Sequence, residues 1–248
     1  MTPTSTRSHY LAALGIEQWV RRERHPHAQQ NETDRPLLKE SDLSDDLNSA
    51  SPELRTDAAS SQVWQTLRAN VAQCTACELH QSRSQTVFGA GNEQAKWLII
   101  GEAPGAEEDL QGEPFVGRAG KLLDNMLHAL GLNRNAVYIA NILKCRPPNN
   151  RDPRAEEVAC CERYLRQQVA LINPSIILAL GRIAAQNLLK NQEKIGSMRG
   201  KRYEYANTGI PIVATYHPAY LLRAPREKSK SWQDLLFAKS IIEHQTLE

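Results

Sequence analysis

Short apolar runs alternate along the chain with longer stretches in which apolar residues recur every three or four positions. The runs are rich in β-branched residues and end at glycine, proline or asparagine, which is typical of buried strands. They cover residues 97–100, 136–143, 175–180 and 211–216. Strands that alternate with helices form a parallel sheet with helices on both faces, so the pattern predicts an α/β fold.

The helical stretches complete this alternation. Helical periodicity covers residues 62–73, 121–130, 182–190 and 229–245, and a further helix carries apolar residues at 158, 161, 165 and 169. Asp152 followed by Pro153 predicts the start of that further helix, with Asp152 as its N-cap and the proline in its first turn.

A long polar loop joins the first strand to the helix at 121–130. It opens with Gly101-Glu102-Ala103-Pro104-Gly105, where glycine and proline indicate a tight turn, and it passes three acidic residues before Phe115. A plain surface connection is the alternative, but a loop of this length inside a domain is usually functional.

Three of the predicted strands end in polar residues. Glu102 follows the first strand, Asn141 lies near the end of the second, and His217 follows the fourth. The carboxyl ends of parallel strands share one edge of the sheet, where open α/β folds bind their ligands. We therefore expect these three residues to converge on one site.

The N-terminal quarter differs in composition from the rest. Residues 1–27 contain a basic amphipathic helical pattern at 8–24, which fits a helix packed on the main domain and a partner-binding peptide equally well. Residues 28–60 predict a disordered acidic linker, because residues 31–60 alone hold eight acidic and three basic residues. The folded domain is expected over residues 61–248.

Length, charge and hydropathy narrow the class of protein. The 248 residues carry a net charge of +2, which neither requires nor excludes nucleic acid as a partner. No apolar run approaches the roughly 20 residues of a membrane helix, and a hydrophobic signal core is missing at the N-terminus. We therefore expect a cytoplasmic protein without a membrane partner.

Five cysteines point to a metal site or to free thiols rather than to disulfides. Cys74 and Cys77 form a C-x2-C pair, and 67 residues separate Cys77 from Cys145. Four thiolates suit zinc or an iron–sulfur cluster, and the spacing does not choose between them. Cys160 and Cys161 compete as the fourth ligand; helical phase favours Cys161, on the buried face. A redox-silent pair with three buried thiols is the alternative.

Three motifs resemble those of the family 4 uracil-DNA glycosylases: GEAPGAEEDLQGEPFVGRAGKLL at 101–123, IANILKCRPPNNRDP at 139–153 and HPAYLLR at 217–223. The resemblance spans about residues 62–245. It implies a three-layer α/β/α sandwich around a central four-stranded parallel sheet. It further implies a four-iron four-sulfur cluster and a monomeric, monofunctional enzyme that excises uracil during base excision repair, associated with a bacterial nucleoid.

The resemblance also implies a role for each residue of its motifs. The cluster ligands would be Cys74, Cys77, Cys145 and Cys161. Phe115 would stack on the extruded uracil, Asn141 would bind its O4 and N3–H, and His217 would face its O2. The pocket would be lined by Glu102, which could hold the attacking water, together with Gly101, Ala103, Gly105 and Glu108. Leu221 falls where superfamily members insert a wedge into the duplex.

Basic residues near the end of the chain complete the predicted DNA interface. Phosphate contacts are expected from Arg199, Lys201, Arg202 and Arg223, although each is equally well explained as a solvated surface charge. Ala103 and Gly105 stand where better-known uracil glycosylases carry a water-activating Asp and a thymine-blocking Tyr. The sequence therefore leaves the general base and the exclusion of thymine undefined.

A shorter resemblance lies in the N-terminal segment. Leu14-Gly15-Ile16-Glu17-Gln18-Trp19-Val20-Arg21-Arg22 is similar to the N-terminal peptide of the psi subunit of bacterial DNA polymerase III, which docks on the clamp loader. It implies a clamp-loader contact through residues 8–24. A non-catalytic protein that binds damaged DNA or the replisome, and a glycosylase for another deaminated base, are the alternatives to uracil excision.

Overall fold

The computed structural model describes residues 52–245, with side chains from residue 61. The predictions for residues 1–27, and for the linker as far as residue 51, lie outside the described residues. The described helices are α1 (Pro52–Ala72), α2 (Leu79–Ser82), α3 (Ala106–Gln111), α4 (Arg118–Ala129), α5 (Ala155–Ile172), α6 (Arg182–Leu189), α7 (Ile195–Met198), α8 (Pro218–Arg223) and α9 (Lys228–Gln245). Single 3₁₀ turns lie at Arg134–Ala136, Pro148–Asn150 and Pro225–Glu227.

The strands form one mixed sheet in the order β1-β3-β2-β4-β6-β5. Its strands are β1 (Ala90–Gly91), β2 (Trp97–Gly101), β3 (Val137–Asn141), β4 (Ile176–Leu180), β5 (Arg202–Glu204) and β6 (Pro211–Thr215). The four inner strands are parallel, which confirms the predicted core of the sheet. The prediction of four strands missed β1 and β5, which pair antiparallel at the two edges and are too short to show an alternating pattern.

Apolar side chains fill both faces of the inner strands, and every residue of β2, β3, β4 and β6 is buried. One face packs against α1, α5 and α6, and the other against α4 and α9. The arrangement is the predicted three-layer α/β/α sandwich. Continuous burial of parallel strands explains why they appeared in the sequence as unbroken apolar runs.

The first helix corrects the predicted domain boundary. α1 begins at Pro52 rather than near residue 61, so the prediction of a disordered linker is wrong for residues 52–60. Proline is compatible with the first helical turn because the N–H it lacks has no partner there. The acidic composition of this stretch favoured a prediction of disorder, although Pro52 is a residue typical of a helix start.

The start of α5 also differs from its prediction. The helix begins at Ala155, and the N-cap position is held by Arg154 rather than Asp152. Glu157 closes the helix start by accepting a hydrogen bond from the Arg154 backbone N–H at 2.8 Å. Asp152 accepts a hydrogen bond from Arg182 at 2.7 Å instead, which places it near the polar edge of the sheet.

No helix within residues 52–245 is long and apolar enough to cross a membrane.

Candidate active site

A cavity of about 470 Å³ opens at the carboxyl ends of β2, β3 and β6. The structure brings together there almost all of the predicted pocket residues, namely Glu102, Ala103, Gly105, Glu108, Phe115, Asn141 and His217. Sequence reasoning assigned no pocket role to several further lining residues, among them Asn150, Arg151, Asp152 and Tyr220. The convergence follows from the parallel order of the inner strands.

Asn141 is the most buried polar group of this cavity. It is paired in register with Gly101 of the adjacent strand and is 2% exposed. Its side-chain Oδ1 has no hydrogen-bond partner among the described residues. A buried acceptor left without a donor costs about 1–3 kcal/mol, so this oxygen calls for a donor that a ligand would bring.

Gly101 provides the space in which the pocket side chains meet. A Cβ at this position would lie 2.4 Å from Asn141 Oδ1 and 2.7 Å from Cζ of Phe115. Any larger residue would push the aromatic ring and the amide apart. Although Gly101 does not itself line the cavity, it allows both groups to face it.

Phe115 and His217 form an aromatic pair in the cavity. Their ring centroids are 5.5 Å apart and their planes are inclined by 29°. Phe115 has a φ of 56°, a left-handed conformation that is strained for a residue with a bulky side chain. Gly181, at the end of β4, admits His217, because a Cβ there would lie 2.8 Å from the histidine Cβ.

The tautomer of His217 follows from its hydrogen bond. Nδ1 lies 3.1 Å from the backbone N–H of Ala219 and accepts from it. Burial lowers the pKa of His217 to about 4, the charge of Arg223 lowers it further, and Glu108 opposes the shift. The imidazole is therefore neutral at physiological pH and carries its proton on Nε2, the nitrogen that remains free to donate.

Glu102 is poised to titrate near neutrality. Burial raises the pKa of its carboxyl group to about 7, the negative charge of Asp152 adds to the rise, and Arg182 opposes it. A carboxylate with this pKa suits a general base, since it is deprotonated in a substantial fraction of molecules yet still accepts a proton. Asp152 and Arg182 form an ion pair at 2.7 Å beside it, and neither was predicted to act at the site.

Glu108 holds the pocket loop rather than presenting a free carboxylate. One oxygen accepts from the backbone N–H groups of Val116 at 3.0 Å and Gly117 at 3.1 Å. The other oxygen accepts from the Gly105 N–H at 3.1 Å. The carboxylate thus joins the turn after β2 to the segment that carries Phe115.

The cysteines meet at a second cavity, on the face of the sheet covered by α1 and α5. Its lining includes the four predicted ligands, Cys74, Cys77, Cys145 and Cys161, together with Cys160. Cys161 accepts a hydrogen bond from the Lys144 backbone N–H at 3.2 Å, and Cys145 accepts one from Arg83 at 3.0 Å. Donors of this kind stabilise thiolates, whereas burial raises the pKa of Cys145 and raises that of Cys161 to about 11. Five thiols around one cavity fit a metal centre, because a bound metal deprotonates the thiols that ligate it.

No group of three or more His, Cys, Asp or Glu within residues 61–245 is arranged as the ligands of a single metal ion. Four thiolates around an iron–sulfur cluster are separated by the cluster itself and need not meet at one point. Both Cys160 and Cys161 reach the cavity, so the choice of Cys161 as a ligand stays a prediction, and so does the kind of metal centre.

The predicted phosphate contacts differ in their surroundings. Arg223 lines the mouth of the active-site cavity, whereas Lys201 and Arg202 are exposed beside the edge of the sheet. Arg199 forms a largely buried ion pair with Asp234, at 2.8 Å between Nε and Oδ2. The structure thus gives Arg199 a role in packing, and its contact with phosphate stays a prediction.

Leu221, the predicted wedge, is buried in the structure. It is 1% exposed, while its neighbours Tyr220 and Leu222 are 38% and 37% exposed. Successive residues of a helix point about 100° apart, so the phase of α8 turns Leu221 inward and its neighbours outward. The role of Leu221 as the wedge stays a prediction, and the large apolar side chains of α8 that face solvent are Tyr220 and Leu222.

Comparison with known proteins places these features in a family. A model described as the uracil DNA glycosylase superfamily matches residues 88–236, more than half of the chain. The chain belongs to the uracil DNA glycosylase superfamily. The match includes the pocket residues on all three strand ends and two of the four predicted cluster ligands.

Curated relatives point to one branch of this superfamily. The chain is similar to the type-4 uracil-DNA glycosylase of Archaeoglobus fulgidus, with 48% identity over 170 residues, which covers 66% of this chain and 85% of the relative. The type-4 enzyme of Pyrobaculum aerophilum is 44% identical over 177 residues, covering 69% and 90%. That of Thermotoga maritima is 43% identical over 175 residues, covering 69% and 91%.

Lys144 connects the two cavities of this superfamily member. It is 1% exposed, and its ammonium donates to the backbone oxygen of Asn141 at 3.0 Å and to Gln168 Oε1 at 2.6 Å. Burial lowers its pKa to about 8, while the thiols of Cys161 and Cys145 oppose the shift. Sequence reasoning passed over it because lysine is seldom buried.

Proposed function

We propose that this chain removes uracil from DNA by hydrolysing the N-glycosidic bond, as a monofunctional glycosylase of base excision repair that leaves an abasic site. The unpaired, buried Oδ1 of Asn141 in a cavity with an aromatic wall carries this proposal. The type-4 uracil-DNA glycosylases among its relatives support the same chemistry.

Recognition requires that the base leave the DNA stack, because its glycosidic bond is inaccessible inside a duplex. Phe115 then provides a face on which the extruded uracil stacks. The Asn141 amide accepts from N3–H through Oδ1 and donates to O4 through its nitrogen. Cytosine offers neither the N3–H nor a carbonyl at position 4, so the same amide discriminates against it.

His217 stabilises the leaving group. As the glycosidic bond breaks, its electron pair passes to the base, and negative charge develops on uracil O2. The free Nε2–H of the neutral imidazole donates to this oxygen, and a donor fixed in advance is worth most in a site with little water. The backbone N–H of Ala219 keeps the ring in the tautomer that this role needs.

Glu102 orients the attacking water and accepts its proton. The sugar carries positive charge in the transition state, and the carboxylate also stabilises that charge. Its pKa near 7 follows from burial and from Asp152, so the reactive form gains population as the pH rises. This assignment fills the place of the general base that the motif left undefined.

An iron–sulfur cluster would be held by Cys74, Cys77, Cys145 and Cys161. When bound, the cluster would covalently link three segments: the α1–α2 connection, the segment after β3, and α5. Its role would be structural, because glycosidic hydrolysis involves no electron transfer. The hydrogen bonds to the Cys145 and Cys161 sulfurs support this proposal.

Turnover on a substrate panel tests the function. Duplex oligonucleotides with a single uracil, thymine or hypoxanthine would be incubated with the full chain, and the released base and the abasic strand would be measured. We expect release of uracil and none of thymine. Release of hypoxanthine alone, or tight binding without release, would contradict the proposal in favour of another deaminated base or of a non-catalytic role.

Partner and location complete the proposal. We infer a cytoplasmic monomer at the bacterial nucleoid that contacts the clamp loader through residues 8–24, supported by the likeness of 14–22 to the psi subunit peptide. A pull-down with the purified clamp loader would compare the intact chain with Trp19→Ala. Equal capture of the two chains would contradict the contact, whereas selective loss by the variant is expected.

A further inference from the structure

The backbone around Phe115 is held in an unfavourable conformation. Its φ of 56° is one that residues with a side chain adopt at a cost, and the ring is only 6% exposed. The conformation turns the ring towards His217 and the cavity. A conformation of this kind persists only where its surroundings impose it.

Arg134 supplies that restraint from outside the pocket. It lies in the 3₁₀ turn before β3 and does not line the cavity. Its Nη1 donates to the Pro114 carbonyl at 3.0 Å, and its Nη2 donates to the Phe115 carbonyl. Its Nε donates to Asp124 of α4 at 2.7 Å, which fixes the plane of the guanidinium.

Two neighbours complete the restraint on the other sides. Glu108 accepts from the N–H groups of Val116 and Gly117, directly after Phe115. Gly120 leaves room for the strained carbonyl, since a Cβ there would lie 1.6 Å from the Phe115 oxygen. The carbonyls before the turn and the amides after it are thus held by opposite charges.

We propose that Arg134 is a positioning residue for uracil recognition, which acts through Phe115 by fixing the left-handed turn that presents the ring to the base. The guanidinium is suited to this role because its planar fork can bind two carbonyls and a carboxylate at once, whereas the ammonium of lysine is a single point of charge. The inference rests on the proposed stacking of uracil on Phe115.

A double-mutant cycle measures the link between the two residues. The readout is the inhibition constant of free uracil, the reaction product, determined beside kcat and KM for the full chain. The variants are Arg134→Ala, Phe115→Ala and the double variant, with Arg166→Ala as a control because its ion pair with Glu162 is exposed and outside the pocket.

Arg134→Ala is expected to weaken uracil inhibition about tenfold, within the range for loss of a base–aromatic stack. Phe115→Ala should weaken uracil inhibition at least as much. The double variant should show no weaker inhibition than Phe115→Ala, because Arg134 acts only through the ring. Methylguanidinium in solution should restore part of the inhibition in Arg134→Ala, and Arg134→Lys should fall between parent and Ala. The control should match the parent.

Each remaining outcome contradicts a defined part of the account. Unchanged uracil inhibition in Arg134→Ala, or an equal further loss when it is added to Phe115→Ala, would overturn the role of Arg134. Unchanged inhibition in Phe115→Ala would instead remove the stacking role of Phe115. If Arg134→Ala does not fold, Arg134→Lys provides the test. Parental uracil inhibition and parental kinetics in the folded Arg134→Lys chain would refute the requirement for a guanidinium that binds both carbonyls.

Discussion

His217 shows how a single side chain is prepared for its role by its immediate neighbours. Its Nδ1 is occupied by a backbone N–H, and burial keeps the ring neutral. Because no proton has to be added before the reaction, the donor on Nε2 is available across the physiological range. A preorganised neutral donor of this kind avoids placing a charge in a buried site.

Replacing His217 should therefore act on the chemical step. We expect His217→Ala to slow single-turnover cleavage of uracil DNA by about two to three orders of magnitude, the range for removing a preorganised donor. The exposed His128 of α4 provides a matched control, since His128→Ala removes an imidazole outside the pocket. A parental rate in His217→Ala would refute its role.

Glu102 predicts the pH dependence of the reaction. Its carboxyl has a raised pKa of about 7, and the general base is the deprotonated form. The single-turnover rate should therefore rise with pH, level off above the pKa, and fall about tenfold per unit well below it. Glu102→Gln should be slow and should lose this dependence on pH. A parental profile in that variant would show that another group activates the water.

At the scale of elements, the sequence predicted the inner strands but not which side of a short helix is buried. In buried strands such as the run Trp97–Ile100, every residue is apolar, so the sequence alone identifies the strand. Because these strands are parallel, their carboxyl ends come together. α8 has six residues, too few for periodicity to reveal which side is buried. Leu221 was assigned to the duplex wedge from the family resemblance alone, and it is buried in the structure.

The two leucines of α8 differ in burial, so their substitution should differ in its effect on stability. Leu221→Ala should lower the free energy of unfolding by about 2–5 kcal/mol, as for a leucine in a packed core. Leu222→Ala, at an exposed position, should change it by less than about 0.5 kcal/mol. Denaturant titration of both variants measures the difference. Equal effects on stability would contradict the observed phase of α8.

At the scale of the molecule, the site depends on contacts that join segments distant in sequence. The strand ends that carry Glu102, Asn141 and His217 could be found from their pattern, because topology alone brings them together. Arg134 and Lys144 could not be found in this way, because each acts through a hydrogen bond to a backbone carbonyl and no sequence pattern marks either residue. The roles of these two residues became visible only from their hydrogen bonds.

The location of both cavities defines which part of the chain catalysis needs. All residues that line them lie between 71 and 223. A chain that begins at residue 51, just before α1, should therefore cleave uracil DNA at the parental single-turnover rate. Loss of cleavage in this shortened chain, with its fold and iron content retained, would show that residues 1–50 contribute to the site.

The central claim is that the buried amide of Asn141 recognises uracil, and its direct test is the single-turnover cleavage of uracil DNA by the parent and by Asn141→Ala. Removing the amide leaves uracil N3–H and O4 unpaired in a buried site, so we expect a loss of at least about a hundredfold. The exposed Asn125→Ala on α4 is the control and should match the parent. Parental cleavage by a folded Asn141→Ala chain would contradict the account.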